Sequence, residues 1–369
     1  MRIPHSGLRF GAYRGREKSP FERLFELFKE LLLHTSGEVE EALDWLRVLD
    51  KEHNLTTSEY TVDDFVEDLK KRGYLREVVE GGGGLEMSAK TEQALRQSAL
   101  EKVFGKLKKT GNAGNHRTRY TGSGDEDTAE LRAYEYGDAP DTISMTESLQ
   151  NAQILRGPDP EWMLESDLLV RERLHKSQLS TVLMIDLSHS MILYGEDRIT
   201  PAKRVALALA ELIRTRYPKD SLDIIAFGND AWPIELSELP YLQVGPYHTN
   251  TVAGLDLASE ILRKKKASNK QILMITDGKP SCVTEPDGSH YMNSVGLDDY
   301  IVGKCMGRAA ALRKAGIPVT TFMIARDPYL QQFIRSFTEI NKGKAFYTGL
   351  KGLGSLVFED YEKNRKKRL

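Results

Sequence analysis

The chain has 369 residues, of which 40% are hydrophobic and 29% are charged, as is typical of a soluble globular protein with two or three domains. Its formal net charge of −2 argues against a chain that binds nucleic acid over its whole surface. No apolar run approaches the ~18 residues of a membrane helix, the first residues lack the apolar core of a secretory signal, and two cysteines are too few for a disulfide framework. We therefore expect a cytoplasmic protein.

The first predicted module, residues 1–104, is mostly helical. Ser19-Pro20-Phe21-Glu22 has the pattern of a capping box at a helix start, and two more helices are predicted after Ser36 and from Thr61. A short strand, a glycine run at residues 81–84, a second short strand and a helix over about residues 91–104 follow. This order is typical of winged-helix modules, which bind DNA in some proteins and other proteins elsewhere.

The helix that would read DNA in such a module is acidic. It carries Asp63, Asp64, Glu67 and Asp68. These carboxylates would repel phosphates, so DNA binding is the alternative rather than the first hypothesis for this module.

A basic, glycine-rich stretch over residues 105–130 predicts a linker, and residues 131–179 form a connecting segment. The linker is either a solvated connection or a basic arm that docks on an acidic partner. The connecting segment contains Leu131-Arg132-Ala133-Tyr134 and, later, the apolar run Leu168-Leu169-Val170.

From residue 180 to the end of the chain, predicted strands alternate with predicted helices. This alternation predicts an α/β domain with a doubly wound, mostly parallel sheet, in which ligands lie at the carboxyl ends of the strands. The buried-strand run Val182 to Ile185 ends at Asp186, and Ser188 and Ser190 follow at alternate positions. A carboxylate and two hydroxyls at a strand end are hard oxygen ligands that suit Mg²⁺.

This Asp-x-Ser-x-Ser pattern resembles the metal-ion-dependent adhesion site, MIDAS, of von Willebrand factor type A (VWA) domains. The resemblance implies two further ligands, a threonine on a later loop and an aspartate after a later strand. Thr249 matches the first, and Asp277, which follows the apolar run Ile272 to Ile275, matches the second.

The motifs together resemble bacterial cytosolic VWA proteins that are related to the D subunit of magnesium chelatase or that accompany MoxR-type ATPases. The motifs that carry the resemblance are Thr181 to Met191, Phe227-Gly228, Thr249-Asn250-Thr251, Thr276-Asp277-Gly278 and Gly343-Lys344-Ala345-Phe346. The chelatase subunit has an AAA-like domain ahead of its VWA domain, whereas this chain has the small helical module.

The resemblance implies a non-catalytic adaptor that holds Mg²⁺ (or Mn²⁺) at Asp186, Ser188, Ser190, Thr249 and Asp277. A partner protein would add an Asp or Glu carboxylate to the metal, and a MoxR-like or chelatase-like AAA+ ATPase is the expected partner. Two alternatives remain: a transcription-associated protein whose first module binds DNA, and a chelatase-type subunit.

The sequence offers little for catalysis by this chain alone. His189 and His248 are the candidate bases for hydrolysis, but His189 lies between two ligand serines, so its side chain should point away from the metal. The sequence contains neither a Gly-x-Ser-x-Gly elbow nor a Gly-x-x-x-x-Gly-Lys-Ser/Thr phosphate loop. We therefore expect no enzymatic activity, and any ATP would be bound by another polypeptide.

Overall fold

The computed structural model describes residues 19–78, 84–104, 127–135, 138, 140, 143–157, 163–173, 178–195, 197–293, 295–324, 327–347 and 352–366. Most of the predicted glycine run at 81–84 and residues 105–126 of the predicted linker lie outside these described residues. The chain divides into two compact units, residues 1–98 with 237–243 and residues 99–236 with 244–369.

Residues 19–104 are mostly helical, in the order that the sequence predicts. The elements are α1 (Pro20–His34), α2 (Val39–His53), α3 (Val62–Lys71), β1 (Leu75–Glu77), β2 (Leu85–Met87) and α4 (Ala89–Phe104). The capping box at Ser19 forms, since the Ser19 hydroxyl accepts from the Glu22 backbone N–H and the Glu22 carboxylate accepts from that of Ser19. β1 and β2 pair antiparallel as a short hairpin between α3 and α4.

Aromatic side chains at helical spacing form the centre of this first unit. The ring centroids of Phe21 and Phe65 lie 5.4 Å apart, and those of Phe28 and Phe65 lie 5.9 Å apart. Phe28 and Phe65 are fully buried, so α1 and α3 are held together by large apolar side chains.

A small antiparallel pair follows. β3 (Asp127–Ala133) pairs with β4 (Leu169–Arg173), and α5 (Met145–Arg156) lies between them in the chain. The Ser148 hydroxyl accepts a hydrogen bond from the Leu169 N–H at 2.8 Å, so α5 is tied to the start of β4. β3 begins within the stretch 105–130 that the sequence assigned to the linker.

The rest of the chain is built on a six-stranded sheet with the strand order β12-β11-β8-β5-β6-β7. All neighbouring strands are parallel except β7, which runs antiparallel to β6. The strands are β5 (Leu179–Asp186), β6 (Ser221–Phe227), β7 (Ala231–Ile234), β8 (Asn269–Thr276), β11 (Val319–Met323) and β12 (Lys344–Tyr347).

Helices connect these strands and cover the sheet. They are α6 (Ile199–Arg216), α7 (Thr251–Lys264), α8 (Asp299–Lys314), α9 (Pro328–Asn341) and α10 (Leu353–Lys366). Every residue of β5 is buried, whichever face its side chain points to, as expected for a central strand of a doubly covered sheet. The predicted fold class is confirmed: an α/β fold with a mostly parallel sheet, preceded by a small, mostly helical module.

The loop between β8 and α8 is more ordered than the sequence predicts. Its richness in proline, glycine and serine favours an irregular loop over about residues 278–296. Instead, β9 (Cys282–Thr284) and β10 (His290–Met292) pair antiparallel as a hairpin outside the main sheet.

Among the described residues, no helix is both long enough and apolar enough to cross a membrane.

Candidate metal centre

The candidate site lies at the carboxyl edge of the sheet, where the adjacent strands β5 and β8 end. Asp186 is the last residue of β5, and Asp277 follows the last residue of β8. The two strands pair in parallel, with Ile185 opposite Ile275, so their register places both aspartates at the same edge. The uninterrupted apolar runs that fix these strands therefore also fix the carboxylates.

Asp186 is fully buried, and both of its carboxylate oxygens accept hydrogen bonds. Oδ1 accepts from the Ser188 backbone N–H at 2.9 Å, and Oδ2 accepts from the Thr276 hydroxyl at 2.6 Å. The first bond shapes the turn after β5, and the second links the carboxylate to β8. The carboxylate is thus held rigidly between the two strands.

The turn after β5 brings the two serine hydroxyls together. The Oγ atoms of Ser188 and Ser190 lie 3.0 Å apart. Ser188 is buried and Ser190 is half-buried, while His189 between them is exposed. The alternation predicted for Asp-x-Ser-x-Ser is therefore present: the serines face one another and His189 points outward.

Asp277 is buried on the turn that follows β8. The next residue, Gly278, has a φ of +97°, a backbone conformation that a side chain would strain. Arg198, at the start of α6, places a guanidinium nitrogen 3.8 Å from the Asp277 Oδ2 atom. The sequence does not predict this contact between Arg198 and Asp277.

Thr249 lies on the loop before α7 and is also buried. Its backbone N–H donates to the Ser281 hydroxyl at 3.0 Å, and its carbonyl oxygen accepts from the backbone N–H groups of Ser281 and Cys282. The next residue, Asn250, donates its backbone N–H to the Gly228 carbonyl oxygen, just past the end of β6. Thr249 is thereby fixed between the turn after β6 and the start of β9, on the same edge as the two aspartates.

The electrostatics of the site are dominated by two buried carboxylates near one another. Burial, and then the neighbouring Asp277 carboxylate, raise the pKa of Asp186 to about 7, against the lowering effect of its hydrogen bonds from Ser188 and Thr276. Such a group needs either a proton or a cation to compensate its charge. The donors gathered here, carboxylates and hydroxyls, are those that a hard divalent cation accepts. The residues present therefore fit Mg²⁺ or Mn²⁺ chemically.

The other candidate groups are less suited to bind metal. Cys282 and Cys305 are free thiols, and burial raises their pKa values to about 11 and about 12, so both stay protonated at neutral pH. Across the described part of the chain, no group of three or more His, Cys, Asp or Glu residues is arranged to hold an ion. A cation at this edge would depend on the serine and threonine hydroxyls as well as on the aspartates.

Three residues contact the proposed metal ligands, although the sequence did not predict these contacts. Thr276 was recognised only as part of a motif, although it donates to Asp186, and Ser281 and Arg198 were not considered. Ser281 had a usable signal, because a hydroxyl four residues after Asp277 in a polar loop can bond a neighbouring backbone. No sequence signal marks Arg198, since its contact with Asp277 depends on where α6 begins.

Two family models match this chain. The vWA domain of the Rv0959-like protein matches residues 179–362, and the third domain of the Rv0959-like protein matches residues 126–173. The first match covers the six-stranded sheet and its helices. Residues 179–362 are a von Willebrand factor type A domain.

Relatives of this VWA protein occur in mycobacteria. The "Uncharacterized protein Rv0959" of Mycobacterium tuberculosis and the "Uncharacterized protein Mb0984" of Mycobacterium bovis are each 30% identical over 293 residues, which cover 77% of this chain and 43% of the relative. The chain thus spans less than half the length of these relatives.

Solved structures to which this chain is similar include the PilB minor pilin from Streptococcus sanguinis and the vWF domain of the type V pili tip protein Mfa5 from Porphyromonas gingivalis. The first is 13% identical, with a TM-score of 0.42, and the match covers 54% of this chain and 65% of the pilin chain. The second is 12% identical, with a TM-score of 0.42, and the match covers 53% of this chain and 98% of the other.

Proposed function

We propose that the chain is a metal-dependent, protein-binding adaptor whose VWA domain holds Mg²⁺ or Mn²⁺ through Asp186, Ser188, Ser190, Thr249 and Asp277, as in a MIDAS. The observation that carries this proposal is the burial of Asp186 beside Asp277, with the paired hydroxyls of Ser188 and Ser190 in the turn that Asp186 organises. The Arg198 guanidinium lies 3.8 Å from Asp277, so a divalent cation is the simplest compensation for the charge that remains on the buried Asp186.

The donor set leaves room for a partner. Mg²⁺ prefers six oxygen ligands in octahedral geometry and commonly keeps waters among them. Two carboxylates and three neutral hydroxyls do not fill this shell, and neutral hydroxyls leave much of the metal's charge uncompensated. A bound Mg²⁺ would supply an electrophilic position suited to an Asp or Glu carboxylate of another protein.

We propose a cytoplasmic AAA+ ATPase of the MoxR or magnesium-chelatase type as that partner. The support is the resemblance of the chain's motifs to bacterial VWA proteins that accompany such ATPases. The chain has no phosphate-binding loop in its sequence, so nucleotide chemistry belongs to the partner in this account. Its role would be recognition during protein remodelling or metal-cofactor insertion, without catalysis of its own.

A pull-down tests this proposal. The full chain is used as bait in a lysate of its own cell, as wild type and as Asp186→Ala, each with Mg²⁺ and with EDTA. Asp223→Ala is the matched control, because Asp223 lies near the opposite end of β6 in a half-buried ion pair with Lys265.

We expect wild type and Asp223→Ala to retain an AAA+ ATPase only in Mg²⁺, and Asp186→Ala to retain none. Retention of the same ATPase by wild type in EDTA would show that the metal is not the bridge. Such a result would redirect attention to the first module and the basic linker.

A further inference from the structure

Arg198 brings a permanent positive charge to the candidate metal centre. A guanidinium nitrogen lies 3.8 Å from the Asp277 Oδ2 atom, and only 11% of the arginine side chain and 5% of the aspartate side chain are exposed. An arginine stays protonated throughout the pH range in which proteins are folded. The site therefore contains this charge whether or not a metal ion is bound.

The backbone of Arg198 is tied to the loop that carries the two serines. Its N–H group donates to the Met191 carbonyl oxygen at 3.1 Å, directly after Ser190. Its own carbonyl oxygen accepts from the Ala202 N–H at 3.4 Å, where α6 begins. The residue thus joins the loop after β5 through its backbone and the turn after β8 through its side chain.

The stability of α6 does not explain an arginine at this position. Arg198 is the N-cap residue of α6, and its side chain makes no capping hydrogen bond. Side chains that accept hydrogen bonds are preferred at an N-cap, and the helix dipole places a partial positive charge there that repels a cation. The position of Arg198 therefore points to a role at the metal edge rather than in the helix.

A second pair of opposite charges lies beside Arg198. Lys203 is fully buried on α6; burial lowers its pKa to about 8, and the Asp197 carboxylate opposes this effect. Asp197 also accepts from the Thr200 backbone N–H at 3.0 Å. Because Asp197 and Lys203 offset each other, they do not neutralise the charge of Arg198.

Asp230 and Lys279 also lie on turns at this edge of the sheet. Asp230 follows β6, is largely exposed and lies 3.0 Å from the Nε2 atom of His290. Lys279 is half-buried and donates its backbone N–H to the Asp277 Oδ1 atom at 3.4 Å. These two charges are opposite in sign, so the balance at the two buried aspartates depends on Arg198 and on the metal.

The charge balance changes when a divalent cation binds. As ionised ligands, Asp186 and Asp277 carry two negative charges, which balance the two positive charges of Mg²⁺. The charge of Arg198 is then left without compensation in surroundings that contain little water, which is unfavourable. A carboxylate from a partner would restore neutrality.

We propose that Arg198 couples metal binding to partner binding at this site, which rests on the function proposed above. Its charge weakens the binding of Mg²⁺ by the chain alone and strengthens the binding of a carboxylate once the metal is bound. Arg198 acts through its charge and is not itself a metal ligand. Since linkage is reciprocal, the carboxylate also strengthens the binding of the metal.

Titration of the full chain with Mn²⁺ tests this proposal. The electron paramagnetic resonance signal of free Mn²⁺ gives the Kd, measured in chloride and in acetate at equal ionic strength, with acetate as the probe for an Asp or Glu side chain. We call the ratio of the Kd in chloride to the Kd in acetate the acetate gain. Acetate also binds Mn²⁺ in solution, but this affects every variant equally, so acetate gains are compared between variants.

Two substitutions of Arg198 separate its charge from its hydrogen bonding. Arg198→Gln removes the charge and keeps N–H donors, whereas Arg198→Lys keeps the charge. Arg214→Gln is the matched control, because Arg214 lies in the last turn of α6, about 24 Å along the helix, and pairs with the buried Glu211 carboxylate at 3.1 Å. Unfolding temperatures show that each variant is folded.

We expect Arg198→Gln to bind Mn²⁺ in chloride about tenfold more tightly than wild type, because repulsion between nearby charges is weakly screened where water is scarce. It should also lose most of the acetate gain. Arg198→Lys and Arg214→Gln should resemble wild type in both measurements.

The stability of Arg198→Gln in EDTA distinguishes a role of the charge from a purely structural role. This variant should unfold at a lower temperature than wild type, because the buried Asp277 carboxylate loses its cation. Its Mn²⁺ affinity should nevertheless rise, whereas a variant that only displaced Asp277 would lose both stability and affinity.

Three results would overturn the coupling and leave the metal centre standing. They are unchanged or weaker Mn²⁺ binding by Arg198→Gln in chloride, an acetate gain of this variant equal to that of wild type, and a wild type whose Mn²⁺ affinity does not rise in acetate. The last result needs no variant. A wild type that binds no Mn²⁺ in either buffer would instead contradict the metal centre, and the coupling would fail with it.

Discussion

At the scale of single residues, Asp186 is the group on which the account depends. It is buried, it faces a second carboxylate, and its pKa is raised to about 7 for those two reasons. Without a cation, folding therefore favours the protonated carboxyl. With a cation, the ionised carboxylate is the favoured form, so protons and metal compete for the same group.

This competition predicts a pH dependence of stability in the metal-free protein. Between the ordinary pKa of 3.8 and the folded value of about 7, the folded chain holds a proton that the unfolded chain has released. The contribution of Asp186 to the free energy of unfolding should thus decrease as pH rises through this interval, by an amount on the order of a few kcal/mol. Urea unfolding in EDTA at about pH 5 and about pH 8 measures it.

The variant Asp186→Asn isolates this contribution because it keeps the size of the side chain but removes its charge. It should be more stable than wild type in EDTA at about pH 8, and Mg²⁺ should no longer stabilise it. Asp360→Asn is the contrasting control, since buried Asp360 pairs with Lys344 and accepts from Thr320 at 2.8 Å. It should lose stability at both pH values. Equal stability of wild type and Asp186→Asn at about pH 8 would contradict the account.

At the scale of the elements, the sequence predicts the central strands well, and with them the edge of the sheet that carries Asp186 and Asp277. β5 and β8 each contain an uninterrupted run of apolar residues, Val182 to Ile185 and Ile272 to Ile275, and such runs indicate burial on both faces of a sheet. Their ends are marked by Asp186 and Asp277, so parallel pairing alone brings the two carboxylates to one edge. The location of the candidate site follows from the fold with no further information.

The sequence does not predict the hairpin between β8 and α8. The β9–β10 hairpin has strands of three residues outside the main sheet, so no apolar run marks it. Its one local signal is Asp287-Gly288, a dipeptide common in tight hairpin turns. The contact of Arg198 with Asp277 depends on how separate elements pack, which local patterns do not encode.

Gly343 offers a test of the packing between α9 and β12. A Cβ atom at this position would collide with the Val319 carbonyl oxygen at the start of β11, and also with the side chain of Asn341. Because backbone cannot move aside cheaply, Gly343→Ala should lower the free energy of unfolding by at least about 2 kcal/mol. Chemical unfolding measures this.

Gly307→Ala is the matched control for this substitution. Its Cβ atom would meet nothing within 4 Å, and its position inside α8 favours alanine over glycine. It should gain about 0.5–1 kcal/mol of stability. If both variants changed stability by the same amount and in the same direction, the close approach of Gly343 to Val319 would be refuted.

At the scale of the whole molecule, the candidate site lies at the carboxyl ends of the strands and a buried polar network lies near their amino ends. Near the amino ends of the strands, a buried polar network joins α10 to the sheet: Asn364 donates to Gln271 at 2.8 Å, and Gln271 donates to Thr181 at 3.0 Å. Its members satisfy one another, so the network fixes the helix without leaving sites for a ligand. The proposed function assigns recognition to the carboxyl edge, where Asp186 and Asp277 lie.

The first module bears on the alternative function, DNA binding. On α3, Glu67 pairs with Lys71 at 3.0 Å and Asp68 with Arg72 at 3.6 Å, so its acids offset its basic residues. We therefore expect the full chain to show no salt-sensitive binding to random duplex DNA at physiological ionic strength, measured by fluorescence anisotropy. Micromolar binding that weakens steeply with salt would support the transcription-associated alternative instead.

The most direct test of the central claim is a crystal structure of the full chain grown with Mn²⁺, analysed by anomalous scattering at the manganese edge. The account predicts one strong anomalous peak within ligand distance of oxygen atoms from Asp186, Ser188, Ser190, Thr249 and Asp277, directly or through bound water, at about 2.0–2.2 Å for direct ligands. The peak should be absent in Asp186→Asn crystals. A wild-type structure with ordered side chains at these positions and no peak among them would contradict the metal centre.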